Sequence, residues 1–587
     1  MGKQNQSRAD VIVVGSGAGA MAAAITAHDK GLSVIMIEKG DVYGGTSAMS
    51  GGGIWVPNHG KSSTVSDSKQ EAWEYTRGLV EDCVSDSRLR AYLERSSEML
   101  RYLEENTRLE YEPQDIYPDY YPEEKGGKTG GRTLDPVAYD ATELGDEFQR
   151  MRGQHPQTLV MGRYAMTMAE GRQIFSKEPG CMRAMFKLMI NYWTNVSARL
   201  KSRRDTRLVL GNALIGRLRH SMMDRDIPLL LNTGLDDLIT EGDRVVGVRA
   251  TQTTEFGGQE SVEFRANHGV ILGAGGFERN QTMREKYLPQ PTSEYWSAGN
   301  PNNTGDAISA GMKLGADTSL MDHAWWAPAV RVEGEPFARI LFVEKSLPGM
   351  IFVNSEGERY ANEAAPYQDY GPNCYGAHSE QASSVPAYAI FDATYRKKYM
   401  LGPMLQAEFM PDSLLPKNIK QGFYEKADSI EELARKIQLP EAKLVKSIDR
   451  FNDFARTGED HDFSRGGNVH DKYYGDKTVS PNPCLAALEK GPYYAVRVYP
   501  GDLGTKGGLL TDEHAQVVNQ QGALIDGLYA VGNSSSSVVG TKYPGAGTTL
   551  GPAMTFGYLA ALKISASKRH ADASQNQRHE AVASLSE

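Results

Sequence analysis

The feature that most constrains this chain is the stretch of residues 11–38. A short apolar run at 11–14 leads into a glycine turn and an alanine-rich helical stretch, and a second apolar run at 33–37 ends at Glu38. Glycines in such a turn let the backbone approach a pyrophosphate, which the N-terminus of the following helix attracts. An acid about 20 residues further on accepts hydrogen bonds from ribose hydroxyls. The pattern predicts a βαβ dinucleotide-binding unit, in which the cofactor contacts Gly15, Ser16, Gly17, Ala18, Gly19, Ala20, Glu38 and Lys39.

A run of small residues distinguishes between the dinucleotides that share this fingerprint. Residues 44–55 are mostly small or hydroxylated, which suits a backbone pressed against a flat, extended cofactor. Two later apolar stretches, at 270–272 and 528–531, also end in glycines, as in flavoproteins whose last strand closes over the ribityl chain. Together these features predict non-covalent FAD, with further contacts from Gly45, Thr46, Ser47, Ser50, Gly51, Gly52, Gly53, Ala274, Gly275, Gly276, Gly532, Asn533, Thr548 and Leu550.

Composition and charge exclude several other classes. A net charge of −10 argues against a nucleic-acid binder, because that role needs a broad basic surface. The four cysteines lie far apart without a CxxC pair, so neither a disulfide framework nor a metal site is expected. The first ten residues are polar, and no apolar run approaches the roughly 18 residues of a membrane span. We expect a cytoplasmic protein, either soluble or peripheral at the inner face of the membrane.

The 587 residues are too many for one hydrophobic core. We predict an α/β protein with a Rossmann-like FAD-binding domain in two sequence parts and an inserted α/β substrate domain, or cap. The first FAD-binding part covers 1–278 and carries a helical insertion at about 126–210. The substrate domain covers 279–477, the second FAD-binding part covers 478–566, and 567–587 form a flexible tail.

Two motifs near the C-terminus carry a family resemblance. Residues 505–509 read TKGGL and residues 543–558 read YPGAGTTLGPAMTFGY, and the run GGTSAMSGGGIWVP at 44–57 accompanies them. The chain resembles the 3-ketosteroid Δ1-dehydrogenases of the fumarate reductase and succinate dehydrogenase flavoprotein superfamily. The resemblance covers most of the chain apart from the insertion. It implies an FAD-dependent oxidoreductase of steroid catabolism that desaturates the A ring of a 3-ketosteroid, with the active site between the two domains.

The resemblance also assigns roles to four residues. A P-D-Y motif ends at Tyr120, an N-E-x-x-P-Y motif ends at Tyr367, and the Y-P-G-x-G run places Tyr543 and Gly547. It implies that the Tyr543 hydroxyl and the Gly547 amide bond the C3 carbonyl. Tyr367, assisted by Tyr120, would take a proton from C2, while C1 passes hydride to flavin N5.

This chemistry places two demands on the side chains. A free phenol has a pKa of about 10, so a tyrosine base needs neighbours that lower it, and a hydrogen bond from Tyr120 would act in that direction. Three close neighbours, Tyr117, Tyr121 and Tyr370, could be confused with the motif tyrosines. An apolar steroid also needs an apolar slot, for which the candidates are Trp325, Trp326, Phe352 and Phe556.

Several alternatives stay open at this point. One is a 3-ketosteroid Δ4-(5α)-dehydrogenase, and another is a fumarate-reductase-like enzyme of dicarboxylates or related enoates, which would use Arg331, Arg339 and Arg359. Residues 44–53 contain no histidine, so a histidyl-linked flavin is not expected there. A flavin-binding electron carrier or scaffold without its own substrate is the alternative from another class. An external electron acceptor, quinone-like or an artificial dye, is expected as a partner.

Residues 182–204 carry a second signal of location. Apolar residues recur there at helical spacing, and the charged residues are all basic: Arg183, Lys187, Arg199, Lys201, Arg203 and Arg204. Such a helix, with Trp193 and Tyr192, can lie in a membrane interface and collect hydrophobic substrate. A helix packed on the body of the protein, or at a dimer interface, is the alternative.

Overall fold

The computed structural model describes residues 6–62, 64–175, 180–254 and 256–584. The predicted βαβ unit forms the centre of an eight-stranded sheet. Its strand Gln6–Val14 pairs in parallel with Val34–Ile37 on one side and with Gln259–Leu272 on the other. Leu524–Ala530 pairs in parallel with the end of Gln259–Leu272. The first sheet is thus completed by a strand from near the C-terminus, as the two-part prediction requires.

From one edge, this sheet runs Leu229–Leu230, Val34–Ile37, Gln6–Val14, Gln259–Leu272, Arg244–Thr253, Leu524–Ala530 and Gln516–Val518, with Thr233–Glu241 paired to Arg244–Thr253. The helix Ala18–Asp29 follows the first strand and is buried over most of its length because alanine side chains allow close packing on both sides. It packs against the C-terminal helix Leu550–Ser584. An added Cβ at Gly19 would lie 2.6 Å from the carbonyl oxygen of Ala553, so this approach needs glycine.

A second, antiparallel sheet forms the inserted domain. Its strands run Arg339–Ile340, Ala324–Val330, Tyr493–Thr505, Ala387–Phe391 and Met350–Val353, with Tyr424–Ala427 also paired to Tyr493–Thr505. Apolar residues of these strands pack under the helices Ile430–Lys436 and Glu441–Thr457. The predicted α/β fold class is confirmed.

Short strand pairs and helices complete the described chain. The pairs are Ile54–Trp55 and Tyr111–Pro113 with Thr133–Pro136, Tyr139–Asp140 with Arg207–Leu208, Leu159–Val160 with Tyr164–Ala165, and Thr318–Ser319 with Gly508–Leu509. The remaining α-helices are Gly45–Met49, Lys69–Val80, Asp86–Asn106, Met168–Phe175, Cys181–Thr194, Val196–Lys201, Leu210–Met223, Gln281–Tyr287, Asp306–Lys313, Tyr370–Gly376, Ala393–Lys398, Lys417–Lys420 and Val469–Tyr473.

Two regions differ from the expected domain limits. The strand Tyr493–Thr505 belongs to the second sheet, although residue 478 was the expected start of the second FAD-binding part. Its partners lie more than sixty residues away, so its sheet cannot be read from local sequence. The tail expected from residue 567 continues the last helix to Ser584, and residues 585–587 lie outside the described range.

The basic amphipathic segment forms two helices rather than one. Cys181–Thr194 ends at Asn195, whose φ of −81° and ψ of 66° are not helical, and Val196–Lys201 follows. The apolar side chains predicted to form the stripe face outward: Phe186 is 64% exposed and Trp193 53% exposed. Leu188 and Tyr192 anchor the longer helix on Tyr164 and Met166 instead. Within the described residues, no helix is both long enough and apolar enough to cross a bilayer.

Candidate active site

A long cavity opens at the carboxyl edge of the first sheet and extends toward the second domain. The glycine turns that follow three strands of the first sheet, at Gly15, Gly273 and Gly532, line one end of it. Parallel strands finish at the same edge of a sheet, which is where α/β folds bind their ligands. The location of the cavity follows from the strand order.

Most residues predicted to hold the cofactor line this end: Gly15, Ser16, Gly17, Ala18, Gly19, Ala20, Glu38, Lys39, Gly45, Thr46, Ser47, Ser50, Gly51, Gly52, Gly53, Ala274, Gly275, Gly532, Asn533 and Leu550. Gly276 and Thr548 do not. An added Cβ at Gly276 would lie 2.1 Å from the Thr505 hydroxyl oxygen, so this glycine serves chain packing. The Thr548 side chain is buried and donates to the carbonyl of Gly545 at 2.6 Å.

The glycine-lined end fits a flat, extended cofactor. An added Cβ at Gly17, Gly51 or Gly532 would meet no protein atom closer than 3.3 Å, although each residue lines the cavity. Bare backbone therefore faces the open space. Gly17 also precedes the helix Ala18–Asp29 without a side chain to cap it. The Ala18 amide donates to the Ser47 hydroxyl at 3.1 Å, and the rest of the positive end of that helix can face a pyrophosphate.

Polar side chains hold the edge of this surface in place. The Glu38 carboxylate accepts hydrogen bonds from the Ser16 hydroxyl at 2.5 Å and from the Gly40 amide at 2.8 Å. The Thr46 hydroxyl oxygen accepts from the Asn300 amide and from the Asn303 side chain, at 3.0 and 3.1 Å. Both asparagines line the cavity. We did not predict them; the N-P-N-N run at 300–303, rich in turn-forming residues, is the only sequence signal.

The other end of the cavity brings together Tyr120, Tyr367 and Tyr543. Their ring centroids are 5.4 Å apart for Tyr120 and Tyr367, 5.2 Å for Tyr120 and Tyr543, and 5.6 Å for Tyr367 and Tyr543. Gly547 lines the same cavity with a φ of +96°, a conformation that favours glycine. Three motifs that are far apart in sequence thus meet on one wall of the cavity.

Burial controls the protonation of these phenols. It raises the pKa of Tyr367 well above the ordinary value, the charge of Tyr543 raises it further, and a hydrogen bond with Tyr120 lowers it. Burial also raises the pKa of Tyr543, against hydrogen bonds with Tyr367, Thr549 and the Gly547 backbone. The Tyr120 hydrogen bond acts in the expected direction, but burial outweighs it. Tyr367 is therefore a neutral phenol at neutral pH.

Hydrogen bonds also fix the backbone that carries Tyr120. The Tyr120 amide donates to the carbonyl of Pro544, within the Y-P-G-x-G run, at 2.9 Å. The preceding Asp119 accepts from the Trp55 indole at 2.8 Å and from the Arg132 guanidinium at 2.7 Å. The aspartate of the P-D-Y motif thus fixes the backbone next to Tyr120 and does not face the cavity.

The Asn-Glu pair of the N-E-x-x-P-Y motif has a similar structural use. The buried Glu363 carboxylate accepts from Arg359 at 2.8 Å and from Arg465 at 3.0 Å. Asn362 donates to Asp471 at 2.8 Å. These contacts fix the start of the segment that ends at Tyr367.

The structure separates the motif tyrosines from their sequence neighbours. Tyr121 donates to Asp369 at 2.8 Å, and Tyr370 packs in the core of the second domain. Neither lines the cavity, whereas Tyr117 does, with its hydroxyl 3.1 Å from that of Tyr474.

His470 also lines the cavity, and we did not predict it. Its ring lies 5.0 Å from the Tyr120 ring, and burial lowers its pKa. Nothing in the local sequence around position 470 signals this placement, because the contact is made across the fold.

The aromatic residues expected to form the substrate slot lie elsewhere. Trp326 and Phe352 point into hydrophobic cores, and Trp325 and Phe556 line a separate small cavity. Strands of the second sheet are covered on both faces, so an aromatic residue on such a strand can face a core instead of the site. The apolar surface is supplied by Ala298, Ile340, Phe342, Val343, Leu347, Met400 and Leu503.

The arginines required by the dicarboxylate alternative do not converge on the cavity. Arg339 lines it but is paired with Glu335 at 2.6 Å. Arg359 is bound to Glu363 and Asp460, and Arg331 lies over the Tyr295 ring. The cavity offers phenols at the positions where a dicarboxylate would need free guanidinium groups.

A comparison with protein families identifies the general class of protein. The FAD binding domain family matches residues 10–550, which include both sequence parts of the first domain. The chain is an FAD-dependent oxidoreductase.

Comparisons with individual proteins narrow the class. A 3-oxosteroid 1-dehydrogenase from Mycolicibacterium smegmatis is 41% identical over 566 residues, covering 95% of this chain and 97% of that protein. A 4-oxocyclohexanecarboxylate 2-dehydrogenase from Sinomonas cyclohexanicum is 35% identical, covering 95% and 93%. The crystal structure of a 3-ketosteroid Δ1-dehydrogenase from Sterolibacterium denitrificans with 1,4-androstadiene-3,17-dione matches with a TM-score of 0.92 and 48% identity, covering 96% of this chain and 100% of that chain. The chain belongs to the 3-oxosteroid 1-dehydrogenase family.

Proposed function

We propose that this protein introduces the 1,2 double bond into the A ring of 3-ketosteroids. FAD, bound non-covalently at the glycine-lined end of the cavity, supplies the acceptor for the hydride that leaves C1. The observation that carries the proposal is the cluster of Tyr120, Tyr367 and Tyr543 on the cavity wall beyond that end. A desaturation next to a ketone needs one base and a polarised carbonyl, and phenols can serve as both.

Tyr543 and Gly547 are proposed to bind the C3 oxygen. Negative charge develops on this oxygen as the C2 proton leaves, so donors aimed at it stabilise the transition state, typically by about 2.7–4 kcal/mol each. The Gly547 backbone lies close enough to the Tyr543 hydroxyl to lower its pKa. A carbonyl oxygen placed between them could accept from both.

Tyr367 is proposed to take the C2 proton. Its ring lies 5.4 Å from that of Tyr120 and 5.6 Å from that of Tyr543, and the Tyr120 hydroxyl acts to lower its pKa. A hydrogen bond from Tyr120 would stabilise the phenolate form of Tyr367. The bound steroid would exclude water from this part of the cavity wall. Tyr120 then supports the base without itself contacting the reacting carbon.

Anaerobic mixing with a panel of ketones tests the substrate class. We expect a 3-ketosteroid to bleach the flavin absorbance, and neither succinate nor a 3-hydroxysteroid to do so. A 5α-3-ketosteroid without ring-A double bonds separates 1,2- from 4,5-desaturation by product analysis. 4-Oxocyclohexanecarboxylate serves as a small ketone. Bleaching by that ketone but by no steroid would contradict the proposal, as would a 4,5-unsaturated product.

We also propose that the outward face of Cys181–Thr194 and Val196–Lys201 lies in an anionic lipid surface. Leu200, at 85% exposed, extends the apolar face of Phe186 and Trp193, and the exposed Arg183 and Lys187 lie on the same helix as Phe186. The preceding helix, Met168–Phe175, contributes Met168 and Arg172 to the cavity lining. Steroid and a lipid-soluble, quinone-like acceptor would both be reached from such a surface.

Flotation with vesicles tests this surface. We expect the protein to float with vesicles rich in phosphatidylserine more than with neutral ones, and Phe186→Ser to weaken flotation. Phe256→Ser is the matched control, because Phe256 is 98% exposed on a turn of the first sheet. Equal flotation of both variants and the parent protein would exclude this face as the lipid contact.

A further inference from the structure

Two lysine side chains are buried near the reaction site and have no part in the chemistry proposed above. Lys345 is 3% exposed and Lys506 is 1% exposed. Taking an amine out of water is costly unless its hydrogen bonds are replaced. Both side chains obtain those bonds from backbone carbonyl oxygens. The residues that supply the carbonyls therefore indicate which backbone segments the two lysines hold in place.

Each lysine bonds the segment that leads directly into a cavity tyrosine. Lys345 Nζ donates to the carbonyls of residues 363, 364 and 365, all within 3.2 Å, just before Pro366 and Tyr367. Lys506 Nζ donates to the carbonyls of residues 540 and 542, both within 3.1 Å, just before Tyr543. Lys506 Nζ also lies 4.3 Å from the centroid of the Trp325 ring, whose centroid lies 5.1 Å from that of the Tyr543 ring.

The two segments come from different parts of the chain. Residues 363–365 belong to the second domain, and residues 540–542 lie in the returning part of the first, so no shared helix or strand sets the spacing of the two phenols. That spacing matters, because one phenol would act on C2 and the other on the oxygen of the adjacent C3. A misplacement of about 1 Å can cost on the order of 10²-fold in rate.

We propose that Lys345 and Lys506 are positioning residues: Lys345 sets the place of Tyr367 as base, and Lys506 sets the place of Tyr543 as carbonyl donor. This inference rests on the proposed function. It goes beyond that function by predicting two separable defects. Loss of the Lys345 clamp should impair proton removal from C2, and loss of the Lys506 clamp should impair polarisation of the C3 carbonyl.

Lys345→Met and Lys506→Met test the inference, since methionine fills the space and cannot donate. The first measurement is exchange of C2 deuterium with solvent on enzyme whose flavin is kept reduced. The second is the infrared stretch of the C3 carbonyl of bound, ¹³C-labelled 1,4-androstadiene-3,17-dione on oxidised enzyme. Lys426→Met is the control, because Lys426 pairs with Asp412 in the second domain, away from the cavity lining.

We expect Lys345→Met to slow exchange by roughly 10²-fold with the carbonyl stretch unchanged. Lys506→Met should move the stretch toward its value in solution and slow exchange as well, while FAD content and steroid affinity stay within about threefold in both. Exchange and stretch at parent values in both variants would overturn the proposal. An equal decrease in the melting temperature of both variants, without these separate defects, would also overturn the proposal.

Two further comparisons keep the outcomes distinct. If the methionine variants do not fold, Lys345→Gln and Lys506→Gln carry the same two measurements, because an amide still donates; the defects should then be smaller but remain separated. The parent enzyme is measured in parallel. A parent that neither exchanges C2 deuterium nor oxidises the steroid contradicts the proposed function, whereas an active parent with unaffected variants contradicts only the positioning role.

Discussion

Tyr367 must accept a proton from carbon although its burial favours the neutral phenol. We therefore expect Tyr367→Phe to reduce dehydrogenation by at least about 10³-fold, since it removes the only oxygen placed to act as base in the proposed mechanism. Tyr120→Phe should be milder, roughly 10–10²-fold, because it removes the support for the base and leaves the base itself. Anaerobic flavin reduction measures both rates.

The controls for this pair are flavin content and steroid affinity, which should survive in both variants. C2 deuterium exchange should disappear in Tyr367→Phe. Exchange at the parental rate in that variant would transfer the role of base to another group, with Tyr120 as the first candidate because its ring lies 5.4 Å from that of Tyr367.

The raised pKa of Tyr367 also predicts the pH dependence of the reaction. A base whose pKa is raised is mostly protonated at neutral pH, so the reactive phenolate increases as the pH rises. We expect flavin reduction by steroid to accelerate about tenfold per pH unit between pH 7 and 9, without a plateau below the ordinary tyrosine value of 10.0. Stopped-flow measurements over this range provide the check. A rate that is flat above pH 7 would mean that Tyr367 is already ionised or is not the base.

At the residue scale, the sequence predicted the site residues that belong to motifs. It missed the site residues that reach the cavity from other parts of the fold. Tyr120, Tyr367 and Tyr543 each belong to a local pattern, and all three line the cavity. His470 and Lys345 line the same cavity but stand in no pattern of their own. The raised pKa of Tyr367 was also unpredictable, because burial depends on the packing of both domains.

At the scale of single elements, the turn around Gly547 should be intolerant of any side chain. An added Cβ there would lie 2.5 Å from the Ile54 backbone, and the φ of +96° is unfavourable for other residues. Gly547→Ala should therefore displace the amide proposed to bind the C3 oxygen, lowering turnover by about 10²-fold and destabilising the fold by more than about 1 kcal/mol. Steady-state kinetics and thermal denaturation would measure these effects.

Gly522→Ala is the matched control for this substitution. Gly522 has a φ of +80° in a turn of the first sheet, and an added Cβ there meets no atom within 4 Å. We expect Gly522→Ala to destabilise the fold to a similar extent and to keep normal turnover. If the two variants lose activity equally, the effect comes from general destabilisation rather than from the Gly547 amide.

Elements were predictable where their signal was local. The strand, turn and helix of residues 11–29 follow from an apolar run, glycines and alanines that are contiguous in sequence. The strand Tyr493–Thr505 was assigned to the wrong side of the expected domain boundary because only pairing with Ala324–Val330 and Ala387–Phe391 places it in the second sheet. The interruption of the helix at Asn195 could not be predicted either, because it depends on backbone geometry and not on the spacing of apolar residues.

For the whole molecule, the cavity couples cofactor binding to stability. Its lining comes from both sequence parts of the first domain and from the second domain, so a ligand that fills it stabilises the folded state of all three. A ligand present at 100 times its Kd stabilises a protein by about 2.7 kcal/mol. We expect deflavinated protein to melt several degrees below the FAD-bound form, with a Tm that continues to rise as FAD is added beyond saturation. Differential scanning fluorimetry gives this titration.

Two comparisons make the titration specific to the glycine-lined end. Riboflavin lacks the ADP half that the N-terminus of Ala18–Asp29 and Glu38 are expected to hold, so it should raise the Tm far less than FAD does. Gly17→Val should abolish the FAD-dependent rise, because the new side chain extends into space where the nearest protein atom to an added Cβ is 3.3 Å away. A Tm that is independent of FAD in the parent protein would contradict the assignment of this cavity. A normal FAD response in Gly17→Val would instead place the pyrophosphate away from the turn after the first strand.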